Sequence, residues 1–138
     1  MRIEKIVLNN YRIYKGKNVI KFSHDESKNV SLIAGKNGFG KTTFLTSLIW
    51  AFYGGMMSQV EDKYRKDIKS AGGYEKFLNT LVNKEVLNSH LKQTAKEAEF
   101  FVEIHLVDVL IPSIPCRKVV VKRHFDFKDK KESLSILI

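Results

Sequence analysis

The run Gly35-Lys36-Asn37-Gly38-Phe39-Gly40-Lys41-Thr42 satisfies the spacing G-x-x-x-x-G-K-[ST] and carries an extra glycine inside it. Glycines lack a Cβ, so the backbone can curl and turn successive N–H groups toward one point. Such a point suits phosphate oxygens. A helix starting near Lys41 adds the positive end of its dipole, the Lys41 ammonium can reach β- and γ-phosphate oxygens, and the Thr42 hydroxyl can fill one coordination position of Mg²⁺. The pattern therefore predicts binding of a nucleoside triphosphate with Mg²⁺.

Hydrolysis needs more: a carboxylate at the end of a buried strand for the metal, and a group that orients the attacking water. Asp108 follows Leu106-Val107, but its strand alternates with Glu103 and His105, and Val109 stands where a second acid is needed. Asp25-Glu26 is an acidic pair without an apolar strand, and Ser70-Ala71-Gly72-Gly73 is glycine-rich but lies in a polar region. None supplies the second half. His24, His90, His105 and His124 have no metal-site spacing, and the single cysteine, Cys116, sits among apolar residues as an inert thiol. Arg117, Lys118, Lys122, Arg123, Lys128, Lys130 and Lys131 cluster near the end of the chain, either as a surface for a phosphate backbone or as a solvated sheet face.

The elements that must position these groups follow from periodicity. Residues 2–8 and 18–22 are short apolar runs flanking Tyr14-Lys15-Gly16-Lys17, which predicts a β-hairpin turning at the glycine. Residues 30–34 form a buried strand that stops at Gly35. After the glycine-rich run, Phe44, Leu48 and Phe52 recur every four residues, with Leu45 and Ile49 alongside, as one broad apolar helical face. Gly54-Gly55 stops that helix, and Trp50 is expected to pack on the sheet. Met56 and Met57 are expected to pack in the same way. Residues 58–96 are polar and helical, broken at Ala71-Gly72-Gly73, and predict two helices on the outside of the core. Residues 99–106, 118–127 and 134–138 alternate as strands of an antiparallel meander.

The composition agrees with one folded unit. The chain has 138 residues, 43% hydrophobic and 28% charged. It has no apolar run of the roughly 20 residues a bilayer crossing requires. Its start shows no signal core, so the expected compartment is the cytoplasm, with no membrane partner. Lysine plus arginine number 24 against 15 acids, a net charge of +9 that favours polyanions such as nucleic acid.

The sequence resembles the N-terminal ATPase lobe of the SMC-like DNA-repair ATPases, a branch of the ABC ATPases. Asn10-Tyr11-Arg12 resembles the N-F-R element after that group's first strand. The run Leu32-Ile33-Ala34-Gly35-Lys36-Asn37-Gly38-Phe39-Gly40-Lys41-Thr42-Thr43-Phe44-Leu45 matches its I-x-G-x-N-G-x-G-K-[ST]-[ST]-h-L form. Within the branch, Phe39-Gly40-Lys41-Thr42-Thr43, Trp50-Ala51-Phe52-Tyr53-Gly54 and the basic closing strands look most like DndD, the DNA phosphorothioation-associated ATPase. The likeness is good over residues 1–54, a matter of pattern over 99–138, and slight over the insertion.

The resemblance implies an α/β fold: the N-terminal lobe of a P-loop NTPase head of the ABC type, with a mixed sheet, an antiparallel meander and a helical insertion. It divides into a hairpin, phosphate-loop strand and helix (1–54), the insertion (55–98) and the antiparallel strands (99–138). ATP would be held by Arg12, Asn37, Gly38, Phe39, Gly40, Lys41, Thr42 and Thr43. Lys41 would be the catalytic lysine, Thr42 the Mg²⁺ ligand, and the hairpin around Tyr14 would lie near the base. The family's glutamine loop, coiled coil, signature helix, Mg²⁺-carboxylate strand and switch histidine are not readable here. The resemblance therefore implies a first lobe that binds nucleotide weakly alone and hydrolyses it scarcely. Its partners would be the C-terminal lobe of the same head, a second head in a homodimer, and DNA. Two other readings fit the residues. One is a non-catalytic nucleic-acid-binding module, with Arg117, Lys118, Lys122 and Arg123 as its contacts and the loop holding a nucleic-acid phosphate. The other is the nucleotide-binding domain of a transporter, which the Asn10-Tyr11-Arg12 start disfavours.

Overall fold

Alternating apolar and polar residues build the sheet on which the rest is laid. The computed structural model describes residues 1–22, 39–92, 98–110, 112–113 and 118–138, with the backbone alone for 39–42. Its strands are β1 (Arg2–Tyr11), β2 (Tyr14–Lys21), β3 (Glu99–Val107), β4 (Lys118–Asp126) and β5 (Lys131–Leu137). They form one sheet in the order β2-β1-β3-β4-β5, and every described pairing is antiparallel. The hairpin and the meander are thus continuous, joined by β1 against β3 with Ile6 opposite Ile104 and Leu8 opposite Val102. One apolar row, Ile20, Ile6, Ile104, Val121 and Ile136, crosses all five strands and sets the register. The expected strand at 30–34, which would make the sheet mixed, lies outside the described residues, as do Gly35, Asn37 and Gly38.

The hairpin turns earlier than its glycine suggests. Tyr11 pairs with Tyr14, so the turn is Arg12-Ile13, with Arg12 at φ 48°. Gly16 stays inside β2, where the register slips; its φ of 72° suits a bulge, and its N–H donates to Asn10 Oδ1 at 2.7 Å.

Helix α1 (Phe39–Tyr53) ends at the Gly54-Gly55 pair, and a 3-10 turn, Gly54–Gln59, follows. Its packed face is not the expected one. Thr43, Thr46, Ser47, Trp50 and Ala51 are buried, whereas Leu45 and Phe52 are 55% and 40% exposed; Phe44, Leu48 and Ile49 only flank the core. Small residues win the inner face because they let the helix lie close to the sheet. Trp50 then fills the remaining gap and stacks on Phe100 with ring centroids 4.8 Å apart. Met57 is fully buried, but Met56 is 60% exposed.

Among its described residues the insertion holds three α-helices instead of two: α2 (Asp62–Ala71), α3 (Tyr74–Leu78) and α4 (Lys84–Leu91). Nor is it merely external. Tyr64, Phe77, Leu78, Leu81 and Val82 belong to the same core as Ile6, Phe100 and Ile104. A period-based reading gives them a polar environment because the segment around them is rich in charged and polar residues, yet their own side chains are buried.

Phe100 is where these layers meet, touching Tyr11, Trp50, Phe125 and Phe127. Phe100→Ala removes that shared contact and is expected to lower the free energy of unfolding by about 3–5 kcal/mol, measured by urea denaturation followed by circular dichroism. An effect below that of an ordinary surface substitution would show that the helices do not rest on this ring.

Candidate nucleotide-binding site

Phe39, Gly40, Lys41, Thr42 and Thr43 occupy the first turns of α1. The first N–H groups of a helix have no partner within it and point along its positive end, which is the geometry an anion needs. Thr43 is buried on the face turned to the sheet, so it helps seat the helix. The side chains of Phe39, Lys41 and Thr42 lie outside what is described, and so do Asn37 and Gly38.

Arg12 is fixed to the insertion by its backbone. Its N–H donates to the Leu81 carbonyl at 2.7 Å, and its carbonyl accepts from Asn83 Nδ2 at 2.8 Å. Asn83 also donates its own backbone N–H to the Asn10 carbonyl (2.7 Å), while its Oδ1 accepts from the N–H groups of Glu85 (3.0 Å) and Val86 (3.4 Å). One buried asparagine therefore caps α4 and rivets the hairpin turn to the insertion. Asn83 is not among the residues that sequence reasoning singled out; its spacing to Glu85 is a local cap signal, whereas the rivet has no local signal because it joins residues 71 apart.

The Arg12 charge acts on two tyrosine hydroxyls. Tyr64 from α2 hydrogen-bonds Thr46 on the inner face of α1. Burial pushes the Tyr64 hydroxyl above the usual phenol range, Glu61 adds to the rise, and Thr46 and Arg12 oppose it. Tyr11 is fully buried, and burial holds its proton well above the ordinary phenol range, against the pull of Arg12. Among the described residues, neither the Tyr11 hydroxyl nor Arg12 Nε has a hydrogen-bond partner. A buried guanidinium donor with no partner among the described residues fits an anionic group such as phosphate.

The basic cluster does not share one face. Lys122 lies on the outer sheet face, its ammonium 4.1 Å from the Phe101 ring centroid. Lys118 is exposed and 4.0 Å from the Glu4 carboxylate. Arg123, one residue from Lys122, is buried on the inner face, where Nε–H donates to the Ala51 carbonyl (3.1 Å) and Nη1 to Glu132 Oε2 (2.9 Å). It is a structural group, not a surface contact, because adjacent strand residues face opposite ways. Arg117 and Cys116 lie outside the described residues. Asp108 is an exposed partner of Arg2 at 3.4 Å. Among the described residues no cluster of His, Cys, Asp or Glu could hold a metal ion, and no helix is long and apolar enough to cross a membrane.

A helix entered from a glycine-rich phosphate-binding sequence and laid on an antiparallel sheet fits the lobe of a P-loop NTPase. The chain belongs to the AAA domain family, whose model matches residues 5–136. It is also similar to a DNA double-strand break repair Rad50 ATPase from Nanoarchaeum equitans, at 35% identity over 68 residues, 49% of this chain. The chain spans 8% of the length of that relative. Both findings support an N-terminal region of an SMC-like ATPase of the ABC type.

The unpartnered Tyr11 hydroxyl yields a prediction of both magnitude and pH dependence. Tyr11→Phe removes a buried polar group without a partner and is expected to raise the free energy of unfolding by about 1 kcal/mol. In the unfolded chain this tyrosine titrates near the ordinary phenol value of 10.0, while in the fold it keeps its proton to higher pH. Its contribution is intact below pH 10.0 and is lost as pH rises toward the folded value. Stability curves from urea denaturation at rising pH should fall less steeply above that point in Tyr11→Phe than in the natural chain. An equal fall would mean that the hydroxyl finds a partner or solvent.

Proposed function

We propose that the chain binds Mg²⁺-ATP as the N-terminal half of an SMC-like ATPase head acting on DNA in modification, repair or defence. The observation that carries this reading is the start of α1 at Phe39-Gly40-Lys41-Thr42-Thr43, together with a buried Arg12 Nε that has no hydrogen-bond partner among the described residues. Asn37, Gly38, Phe39, Gly40 and Thr43 supply backbone N–H groups, Lys41 and Arg12 supply charge to the phosphates, and Thr42 supplies an oxygen to Mg²⁺. The bound metal would neutralise phosphate charge. In this reading the head is of the DndD type, which Phe39-Gly40-Lys41-Thr42-Thr43 and Trp50-Ala51-Phe52-Tyr53-Gly54 resemble.

Completing the head requires a C-terminal lobe, and a second head would close over the nucleotide in a homodimer. Exposed Leu134, Ile136 and Leu137 on β5 support an apolar partner for the first of these contacts. DNA would run over the outer sheet face, where Lys5, Lys21 and Lys17 share the surface with Lys122 and Phe101. The compartment in this reading is the cytoplasm.

Calorimetric titration with Mg²⁺-ATP, with phosphate release followed in the same samples, tests the nucleotide site. Lys41→Ala is expected to weaken binding at least about tenfold through loss of a charge-assisted contact, and both proteins should release negligible phosphate. Turnover by this chain, abolished in Lys41→Ala, would overturn the half-head reading. For the nucleic-acid surface, Lys122→Ala is expected to reduce the slope of log affinity against log salt by about one, read by fluorescence anisotropy with duplex DNA. Binding to DNA that ignores ATP and survives Lys41→Ala unchanged would favour the non-catalytic module.

A further inference from the structure

The far end of α1 is tied into a buried polar network. Arg123 of β4 donates Nε–H to the Ala51 carbonyl in the last helical turn and Nη1 to Glu132 Oε2 on β5, at 3.1 and 2.9 Å. Trp50 Nε1–H donates to the Tyr74 hydroxyl at 3.0 Å, and Tyr74 in turn donates to Glu132 Oε1. Four elements therefore converge on one carboxylate and one guanidinium. Gly54 makes room for them: its φ is +56°, and a Cβ there would stand 2.5 Å from Arg123 Nη1.

We infer that Arg123 is a positioning residue for the phosphate-binding end of α1, and that its ion pair with Glu132 ties that position to edge strand β5. The inference rests on the nucleotide-binding reading above and deepens it. A helix is stiff, and residues 41 and 51 stand about 15 Å apart along its axis, so fixing the last turn fixes where the first turn presents its N–H groups. Arg123 suits the task because its charge meets the negative end of the helix dipole, and its planar fork donates in two set directions at once. Apolar side chains of similar volume can fill a core as stably as a buried ion pair, so stability alone gives little reason for these groups. β5 is an edge strand with Leu134, Ile136 and Leu137 largely exposed, so a partner that covers it acts on Glu132 and, through Arg123, on α1.

Arg123→Lys keeps the charge but cannot serve both acceptors; Glu132→Gln keeps the shape but removes the charge. Amide hydrogen exchange along α1 and titration with Mg²⁺-ATP are measured on both variants and the natural chain, well below the unfolding temperature. Arg123→Lys is expected to speed exchange in the first turns of α1 and to weaken ATP binding, each about fivefold, the equivalent of one net hydrogen bond. Glu132→Gln should do both to a smaller degree. A role confined to stability would instead speed exchange evenly across sheet and helices and leave ATP affinity unchanged, and that result overturns the inference. If Arg123→Lys does not fold, Glu132→Gln decides by the same two readouts. If the natural chain binds no ATP, the nucleotide reading fails by itself. Local loosening of the first turns of α1 then still supports positioning of the helix, and its absence overturns it.

Discussion

The stack of Trp50 on Phe100 sets how far α1 stands from the sheet, and much else follows from that spacing. The ring centroids are 4.8 Å apart, which is possible only because Thr43, Thr46, Ser47 and Ala51 keep the rest of the inner face thin. A leucine at any of those positions would hold the helix off Phe100. The helix would then rest on its broad apolar face, Phe44, Leu48 and Phe52, and its first turn would point elsewhere. Close approach has a cost: three buried hydroxyl residues must find acceptors. Ser47 donates to the Phe44 carbonyl at 2.6 Å, and Thr46 is paired with Tyr64.

Apolar packing sets distance but not direction, because it has no preferred angle. Direction comes from polar ties, one in the hairpin turn and one at the end of α1. In the turn, Asn83 binds the Asn10 and Arg12 carbonyls and so fixes Arg12 to the insertion. At the end of α1, Arg123 holds the Ala51 carbonyl. Both ties use residues from elements distant in sequence, and both are nine-tenths buried or more, where hydrogen bonds are strong and an unmade one is expensive. The insertion, through Tyr64 and Asn83, is therefore part of what positions the candidate phosphate site.

Much of this was legible in the sequence. The strand alternation over 99–106 and 118–127, the end of α1 at Gly54 and the burial of Trp50 follow from period and glycine chemistry. What was not legible depends on partners far along the chain. Helical spacing selects Phe44, Leu48 and Phe52 as the inner face because they are the largest apolar residues at that period. Tertiary packing selected the small face instead, since the sheet already supplies Phe100, Phe125 and Phe127 to fill the space. Tyr11 and Arg12 were readable as a family-like element after the first strand. Their setting against Tyr64 and Leu81 came only with the fold.

Net charge shows the same limit from another side. An excess of +9 and a run of basic residues near the end of the chain suggest one electropositive surface. A strand divides its neighbours between two faces, so Lys122 and Arg123 part company: one lies over Phe101 in reach of solvent, the other inside among Ala51 and Glu132. The outer face is further tempered by His124 against Glu99 and His105 against Glu103, at 2.7 and 2.8 Å. Positive charge there is spread along β1 and β2 through Lys5, Lys17 and Lys21, away from the cluster that the sequence displays. A polyanion drawn by the overall field would therefore meet its densest lysine row on the hairpin side of the sheet, the side whose turn Asn83 fastens to the insertion.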